Sequence, residues 1–308
     1  MERNRVSLMK KKQSLLRRMG RSKEQYLMLA PFIVLFAVFT LIPVLMSLPV
    51  ALTNFNLVSF PKWVGLENFK RLFLEDETFL QVVRNTLFFA VFTGPVSYFL
   101  CLFLAWLINE YPPKLRAFLT LVFYAPSITG NVFIVWSYIF SGDMYGFLNA
   151  FLIKNGLIND SVQWLTNPKY SFAVVLIVQL WLSLGAGFLS FIAGLQGIDK
   201  SSYEAGAIEG IRNRWQELFY ITLPSMGPQL LFGAVIQIGS SFACGAVSMQ
   251  LTGFPSTDHA TDTVMTYALD YGSTRYEMGY ASAICFVLFC VMLLMNQLVR
   301  SVLKKYTD

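Results

Sequence analysis

Six long apolar stretches alternate with polar connections along the chain. The stretches cover residues 27–49, 86–108, 117–140, 171–195, 223–248 and 280–299. None of them contains Asp, Glu, Lys or Arg. A helix of about 20 apolar residues crosses the hydrocarbon core of a bilayer, whereas membrane-spanning strands are about half as long and alternate in polarity. The pattern therefore predicts an all-α membrane protein with six transmembrane helices.

Basic residues are spread unevenly over the connections. If the N-terminus is cytoplasmic, 17 of the 24 Lys and Arg residues lie inside the cell, nine of them within residues 1–26. The positive-inside rule then predicts that both termini are cytoplasmic. This divides the chain into a basic N-terminal segment (1–26), a six-helix domain (27–300) and a cytoplasmic tail (301–308). Because the basic segment directly precedes a span, we interpret it as a topology signal next to membrane lipid, not as a nucleic-acid site.

The composition agrees with a membrane protein and offers no catalytic or metal site. The 308 residues are 55% hydrophobic and 14% charged, against roughly 25% charged in soluble domains. Cys101, Cys244, Cys285 and Cys290 lie in apolar runs without metal-ligand spacing, and His259 has no Cys or His nearby. The sequence contains no G-x-x-x-x-G-K-[ST] phosphate loop and no intramembrane acid pair. We therefore expect a non-enzymatic chain that binds no cofactor or metal itself.

The connection 196–222 is longer than two neighbouring spans require. Ser201 and Glu204 fit the S-x-x-E form of a capping box, which would begin a short helix. Gly210 is a typical helix-end residue, and Asn213 offers a second start signal. The sequence therefore predicts two short helices on the cytoplasmic side of the membrane.

Apolar side chains recur in this connection at three- and four-residue spacing, as on one helical face. They are Ile208, Ile211, Trp215, Leu218 and Phe219. An exposed patch of this kind has to be covered. Three covers are compatible with the sequence: the lipid interface, packing beneath the two helices themselves and a cytoplasmic partner.

Residues 203–224, YEAGAIEGIRNRWQELFYITLP, resemble the E-A-A…G…I-x-L-P loop of ABC-importer permeases. The corresponding residues are Glu204, Ala205, Gly206, Gly210, Ile221, Leu223 and Pro224, with Trp215 on the apolar face between them. This sequence departs from the pattern at two points. Gly206 stands where Ala is usual, and ten residues instead of the usual nine separate Gly210 from Ile221.

Further segments extend the resemblance to the maltose-transporter type of membrane subunit. These are WVGLENF at 63–69, Asn85-Thr86, LTGFP at 251–255 with Thr263, and MGYA at 278–281. The resemblance implies the type I ABC-importer permease fold in a prokaryotic plasma membrane. It also implies that the E-A-A loop docks on an ATPase, that two ATPase subunits hold the ATP and Mg, and that a second permease subunit and an extracytoplasmic solute-binding protein complete the system.

The spans carry polar but uncharged residues that could line a transport pathway. The candidates are Tyr124, Asn131, Gln179, Trp181, Gln237, Ser241 and Cys244, the last three at the spacing of one helical face. Small and polar residues also serve tight helix packing, so both uses stay open. The absence of intramembrane charge disfavours ion-driven transport and a strongly charged substrate.

These observations lead to the hypothesis of a sugar-importing ABC permease that works by alternating access. In this hypothesis the connection 196–222 transmits the movement of the ATPase to the spans. The alternatives are a stand-alone secondary carrier and a membrane scaffold that recruits a cytoplasmic partner. An intramembrane enzyme has no supporting residues.

Overall fold

The computed structural model describes residues 23–130 and 132–307, and its regular structure there is helical. Five helices are long and apolar enough to cross a membrane, and a bent helix pair makes a sixth candidate. We name them in chain order: span 1 (Glu24–Ala51), span 2 (Glu77–Asn109), span 3 (Pro113–Ile128 and Val132–Ile139), span 4 (Pro168–Gln196), span 5 (Gly227–Thr252) and span 6 (Met278–Thr307). The predicted all-α class is confirmed, whereas predictions for residues 1–22 and for Asn131 lie outside the described residues.

Span 3 is not the single straight helix that the apolar run 117–140 predicted. Its two helices, Pro113–Ile128 and Val132–Ile139, meet at 88°. The first helix ends where Thr129 adopts an extended backbone, with φ −88° and ψ 116°, directly before Gly130. A β-branched residue followed by glycine favours such an interruption.

Spans 4 and 5 are also interrupted, although their apolar runs are continuous. Span 4 consists of Pro168–Leu182 and Ala186–Gln196, and span 5 of Gly227–Phe242 and Gly245–Thr252. Gly185 breaks span 4 with φ −109° and ψ −136°, far from helical values. Hydropathy does not register these breaks, because the residues around them remain apolar or small.

The other helices lie in the connections. They are Glu67–Lys70 with a π turn at Arg71–Glu75, Phe147–Lys154, Lys200–Ile208, Arg214–Glu217 with a π turn at Leu218–Thr222 and a last turn at Leu223–Ser225, a 3-10 turn at Thr257–His259, and Val264–Leu269 with a π turn at Asp270–Thr274. Residues 223–225 therefore belong to the connection and not to span 5, because the backbone of Met226 (φ −101°, ψ 16°) separates them from Gly227. Residues 301–307 continue the helix of span 6 without a break.

Spans 2, 4 and 5 form the centre of the molecule. One buried cluster joins their halves near the connection 196–222, and a second joins span 4 and the opposite halves of spans 2 and 5. Span 1 stands apart, since no residue in its most apolar 18-residue window is buried. It touches span 6 through Ile42–Ala51. A well-packed three-span centre thus carries a first helix that is attached to span 6 at one end only.

Candidate functional site

The first helix of the connection between spans 4 and 5 begins two residues earlier than a Ser201 cap would place it. Asp199 caps it, accepting a hydrogen bond from the backbone N–H of Ser201 at 3.2 Å. Hydrogen bonds from Ser201 also hold the pKa of the Asp199 carboxyl below its usual value. The predicted Ser201–Glu204 capping box is therefore wrong, because Asp199 supplies an acceptor before Ser201 is reached. Glu204 lies inside Lys200–Ile208 and is exposed.

Gly210 ends this helix as the sequence predicted. Its φ of +100° lies in the left-handed region that favours glycine. Around it, the N–H of Ile211 bonds to the carbonyl of Gly206 at 3.0 Å and the N–H of Gly210 to that of Ala207 at 3.4 Å. These two bonds form a Schellman motif. The motif fixes the direction in which the chain enters the second helix.

The second helix begins at the predicted residue and continues farther than expected. Asn213 caps it by accepting from the backbone N–H of Gln216 at 2.8 Å. A π turn, Leu218–Thr222, then continues it into Leu223–Ser225. A π turn holds one residue more than an α turn. It therefore accommodates the extra residue between Gly210 and Ile221 while both Leu218 and Thr222 stay buried.

The two helices pack closely where the sequence has glycine in place of alanine. Gly206 is buried, and a Cβ added there would lie 2.5 Å from Cδ1 of Ile221 and 3.1 Å from Cδ1 of Ile211. Nearby, the hydroxyls of Tyr203 and Thr222 are hydrogen-bonded at 3.0 Å. Residues 199–225, hereafter the helical connection, thus form a unit held together by its own contacts.

This packing divides the predicted apolar stripe. Leu218 is buried and Ile211 is half-buried, so part of the stripe packs beneath the helices themselves. The large apolar side chains left exposed are Ile208 at 88%, Trp215 at 55%, Phe219 at 60% and Tyr220 at 73%. Tyr220 lies in the π turn and was not predicted. These four residues are the exposed set of the helical connection.

Gln237 is buried between spans and its amide is fully engaged. Its Nε2 donates to the carbonyl of Ser183 and to Sγ of Cys101, both at 3.1 Å, and its Oε1 accepts from Ser97 at 3.1 Å. Ser183 lies at the break of span 4, where its carbonyl also accepts from the backbone N–H of Gly185 at 2.8 Å, so the amide ties span 5 to this break. Ser97 and Cys101 were not among the predicted site residues.

Gln179 makes a similar contact beside the break of span 5. It is buried, and its Nε2 donates to the carbonyl of Ser240 at 3.1 Å, just before span 5 is interrupted. Gln237 and Ser241 share a face and line an apolar groove of about 500 Å³ between spans 2, 5 and 6. Cys244 does not share that face, because the helix ends at Phe242; it is buried in the cluster on the opposite halves of the spans.

The remaining candidates lie near the bend of span 3. Trp181 is half-buried and meets Trp136 edge to face, with ring centroids 5.3 Å apart, while Tyr124 is half-buried in the first helix of span 3. Trp136 was not predicted, although an aromatic residue beside an interrupted span is the available signal. Among the described residues no group of His, Cys, Asp or Glu is placed to hold a metal ion.

Comparison with known proteins gives a consistent result. Residues 97–307 match the family model described as binding-protein-dependent transport system inner membrane component. The chain is 33% identical over 271 residues to the probable ABC transporter permease protein YesP of Bacillus subtilis, covering 87% of this chain and 86% of that one. It is 30% identical over 279 residues to the lactose transport system permease protein LacF of Rhizobium radiobacter, covering 88% and 91%.

A solved structure shares the fold. It is a bacterial ABC transporter involved in the import of the acidic polysaccharide alginate, which matches with a TM-score of 0.77 at 24% identity over 96% of this chain and 100% of that chain. A bacterial alginate ABC transporter in complex with an alginate pentasaccharide-bound periplasmic protein also matches, with a TM-score of 0.77 at 23% identity over 96% of this chain and 98% of that chain. The likeness thus extends over nearly the whole chain. This chain is therefore a multi-pass membrane protein that belongs to the family of inner membrane components of binding-protein-dependent transport systems.

Proposed function

We propose that the chain is a permease subunit of an ABC importer for a neutral sugar or oligosaccharide. The lactose-system relative supports the substrate class, and the absence of charge from all six apolar stretches favours a neutral solute. ATP and Mg are bound and used by two separate ATPase subunits. Both termini and the helical connection face the cytoplasm of a prokaryotic cell, as the distribution of basic residues predicts.

The helical connection is the docking element for the ATPase. The observation that carries this role is that a capped, internally packed pair of helices leaves four large apolar side chains exposed. An exposed apolar surface of this kind marks an interaction site. Glu204, Ala205 and Gly210 are exposed on the same element, whereas Gly206 and Ile221 hold its two helices together.

Alternating access follows from the interruptions of the spans. The breaks at 129–130, 183–185 and 243–244 divide spans 3, 4 and 5 into two halves that can tilt relative to each other. Irregular backbone at membrane depth occurs where it is buried in protein or lines a pathway. We place the substrate pathway beside these breaks, with the aromatic faces of Tyr124 and Trp181 along it, and Asn131 stays a candidate from the sequence alone. The residues that hold the lining of this pathway in place are Gln179, Gln237, Ser241 and Cys244.

Two further partners complete the importer. Span 1 buries none of its most apolar window within this chain, so a second, related permease subunit and lipid cover it in the assembled transporter. An extracytoplasmic solute-binding protein delivers the substrate to the opposite end of the spans. The related transporter solved with a sugar-loaded periplasmic protein supports this arrangement.

The test is substrate-stimulated ATP hydrolysis by the complex reconstituted in proteoliposomes. Glu204→Lys reverses an exposed charge on the helical connection, and Gly210→Val forces a β-branched residue to a φ of +100°. Both changes should abolish the stimulation, while Glu75→Lys at the opposite end should not. Wild-type coupling in both variants, or ion-driven uptake by the purified chain alone, would contradict the proposal.

A further inference from the structure

The helical connection contacts more of the molecule than the two spans that it joins. Arg214, at the start of its second helix, reaches across to the turn between spans 2 and 3. Its Nη2 lies 2.5 Å from Oε2 of Glu110, and its Nη1 lies 3.0 Å from Oε2 of Glu217 in its own helix. One guanidinium therefore ties the connection to a turn that is distant along the chain.

An aromatic contact lies beside this charged group. The rings of Trp215 and Trp106 are 5.1 Å apart between centroids, tilted by 45°. Trp106 belongs to the last turn of span 2, and its own ring is 6.1 Å from that of Phe103. The contact joins the exposed set of the connection directly to the end of span 2.

These two contacts border a polar cavity of about 430 Å³ between the connection and the ends of spans 2, 3 and 4. Its lining includes Trp106, Glu110, Arg116, Lys200, Tyr203 and Arg214. A cavity in this position means that the connection does not rest on span 2 across a continuous packed surface. The ion pair and the tryptophan pair are therefore discrete points through which force can pass.

The connection itself is suited to transmit such a force. The Schellman motif, the bond between Tyr203 and Thr222 and the close packing of Gly206 on Ile221 hold its two helices as one unit. On the receiving side, the half of span 2 near the connection packs with spans 4 and 5 in a common buried cluster. A displacement of the turn at Glu110 would thus reach the centre of the molecule.

We propose that the helical connection also moves span 2, together with spans 4 and 5, through two contacts, Arg214 with Glu110 and Trp215 with Trp106. These two contacts are the second mechanical output of the helical connection. This inference rests on the proposed function of the connection in ATPase coupling. Arg214, Glu110 and Trp106 act as positioning residues. Because exposed ion pairs contribute little to stability, removing this pair should leave the fold intact and should change only the coupling.

A double-mutant cycle tests the link in the reconstituted complex. We measure substrate transported per ATP hydrolysed for Arg214→Gln, Glu110→Gln and the double variant. Each single change should lower the ratio about fivefold, and the double variant should be no worse than either single one. Glu217→Gln is the matched control, since it removes the other partner of Arg214 within the same helix and should keep a ratio near wild type.

The outcomes separate this inference from the proposed function. If Glu204→Lys uncouples the transporter while Arg214→Gln and Glu110→Gln retain the wild-type ratio, the second output does not exist and the docking role stands. Additive losses in the double variant would also overturn the link, because the two residues would then act independently. If Glu204→Lys and Gly210→Val both remain coupled, the docking role itself fails. Melting temperatures of the Glu204, Arg214, Glu110 and Glu217 variants should stay at the wild-type value, which excludes loss of folding as the cause.

Discussion

The motif residues at the two ends of the spans differ in their contacts with the rest of the chain. In the helical connection, large apolar residues of the recognised motif region remain exposed. At the opposite end, Asn68 of the WVGLENF segment donates to the carbonyls of Ala51 and Thr53, both at 2.8 Å, and Gly279 of MGYA donates to the carbonyl of Phe55 at 3.0 Å. Asn68 and Gly279 are therefore satisfied inside the chain, where they hold span 1 to span 6, although Trp63 and Leu66 of the same WVGLENF segment remain 68% and 71% exposed. The difference between the two ends lies in these internal attachments, which the exposed set of the helical connection does not make.

Asp76 adds a second internal attachment at the opposite end. Its carboxylate accepts from the backbone N–H of Phe79 at 3.0 Å and from the hydroxyls of Tyr267 and Tyr280, both at 2.7 Å. Burial, together with the hydrogen bonds to Tyr271 and Asp76, raises the pKa of Tyr267, so this hydroxyl remains a donor at neutral pH. One carboxylate thus caps span 2 and connects it to the segment before span 6.

The largest effect should come from Gly279→Ala. A Cβ at this position would lie 2.0 Å from the backbone carbonyl oxygen of Thr53, which cannot move without displacing the end of span 1. We expect a loss of about 3 kcal/mol, at the upper end of overpacking costs. Thermal unfolding in detergent, followed by size-exclusion chromatography, measures it. Gly239→Ala is the control, because nothing lies within 4 Å of its added Cβ, and a stable Gly279→Ala variant would show that the attachment is not tight.

Removing the carboxylate of Asp76 should have the next largest effect. Asp76→Ala deletes the cap of span 2 and two charge-assisted hydrogen bonds, for a loss of about 2 kcal/mol. Glu75→Ala removes the neighbouring exposed acid and should be neutral in the same thermal assay. Equal melting temperatures for the two variants would mean that Asp76 does not connect spans 2 and 6.

The sequence predicted the spans well because the apolar runs are long and free of charge. It could not predict their breaks, since the carbonyl of Ser183 is satisfied by Gln237, 54 residues away in the chain. The same limit applies to Asp76 and Tyr267, which are 191 residues apart. Such pairs depend on how the spans assemble, and hydropathy carries no information about them.

The candidate site was predicted in outline and misread in detail. Gly210 and Asn213 mark their helix ends because their local backbone and side-chain preferences decide the outcome. Ser201 failed as a cap because Asp199 competes two residues earlier. Cys244 does not lie on the helical face of Gln237, because the helix ends at Phe242. Periodicity alone cannot show where that helix ends.

Gly206→Ala should have a small effect on stability. The added Cβ would lie 2.5 Å from Cδ1 of Ile221, but that atom is the flexible end of a side chain. Overpacking and the better helix propensity of alanine oppose each other, which leaves a net loss of about 1 kcal/mol. The variant Gly206→Ala with Ile221→Val should recover the wild-type melting temperature, because valine lacks the Cδ1 atom. No recovery would indicate that glycine is needed for another reason.

The smallest effect on stability should come from the exposed set. Phe219 and Tyr220 are 60% and 73% exposed, so Phe219→Ser with Tyr220→Ser should change the melting temperature little, as surface substitutions stay within about 0.5 kcal/mol. Copurification of the ATPase with the permease should nevertheless be lost, because the substitutions remove apolar surface of the proposed docking element. Tyr145→Ser, at a similarly exposed aromatic residue in the connection after span 3, is the matched control and should retain the ATPase. If instead the double variant melted several degrees lower and still held the ATPase, the two ends of the molecule would be alike, and the exposed residues would serve the chain's own fold.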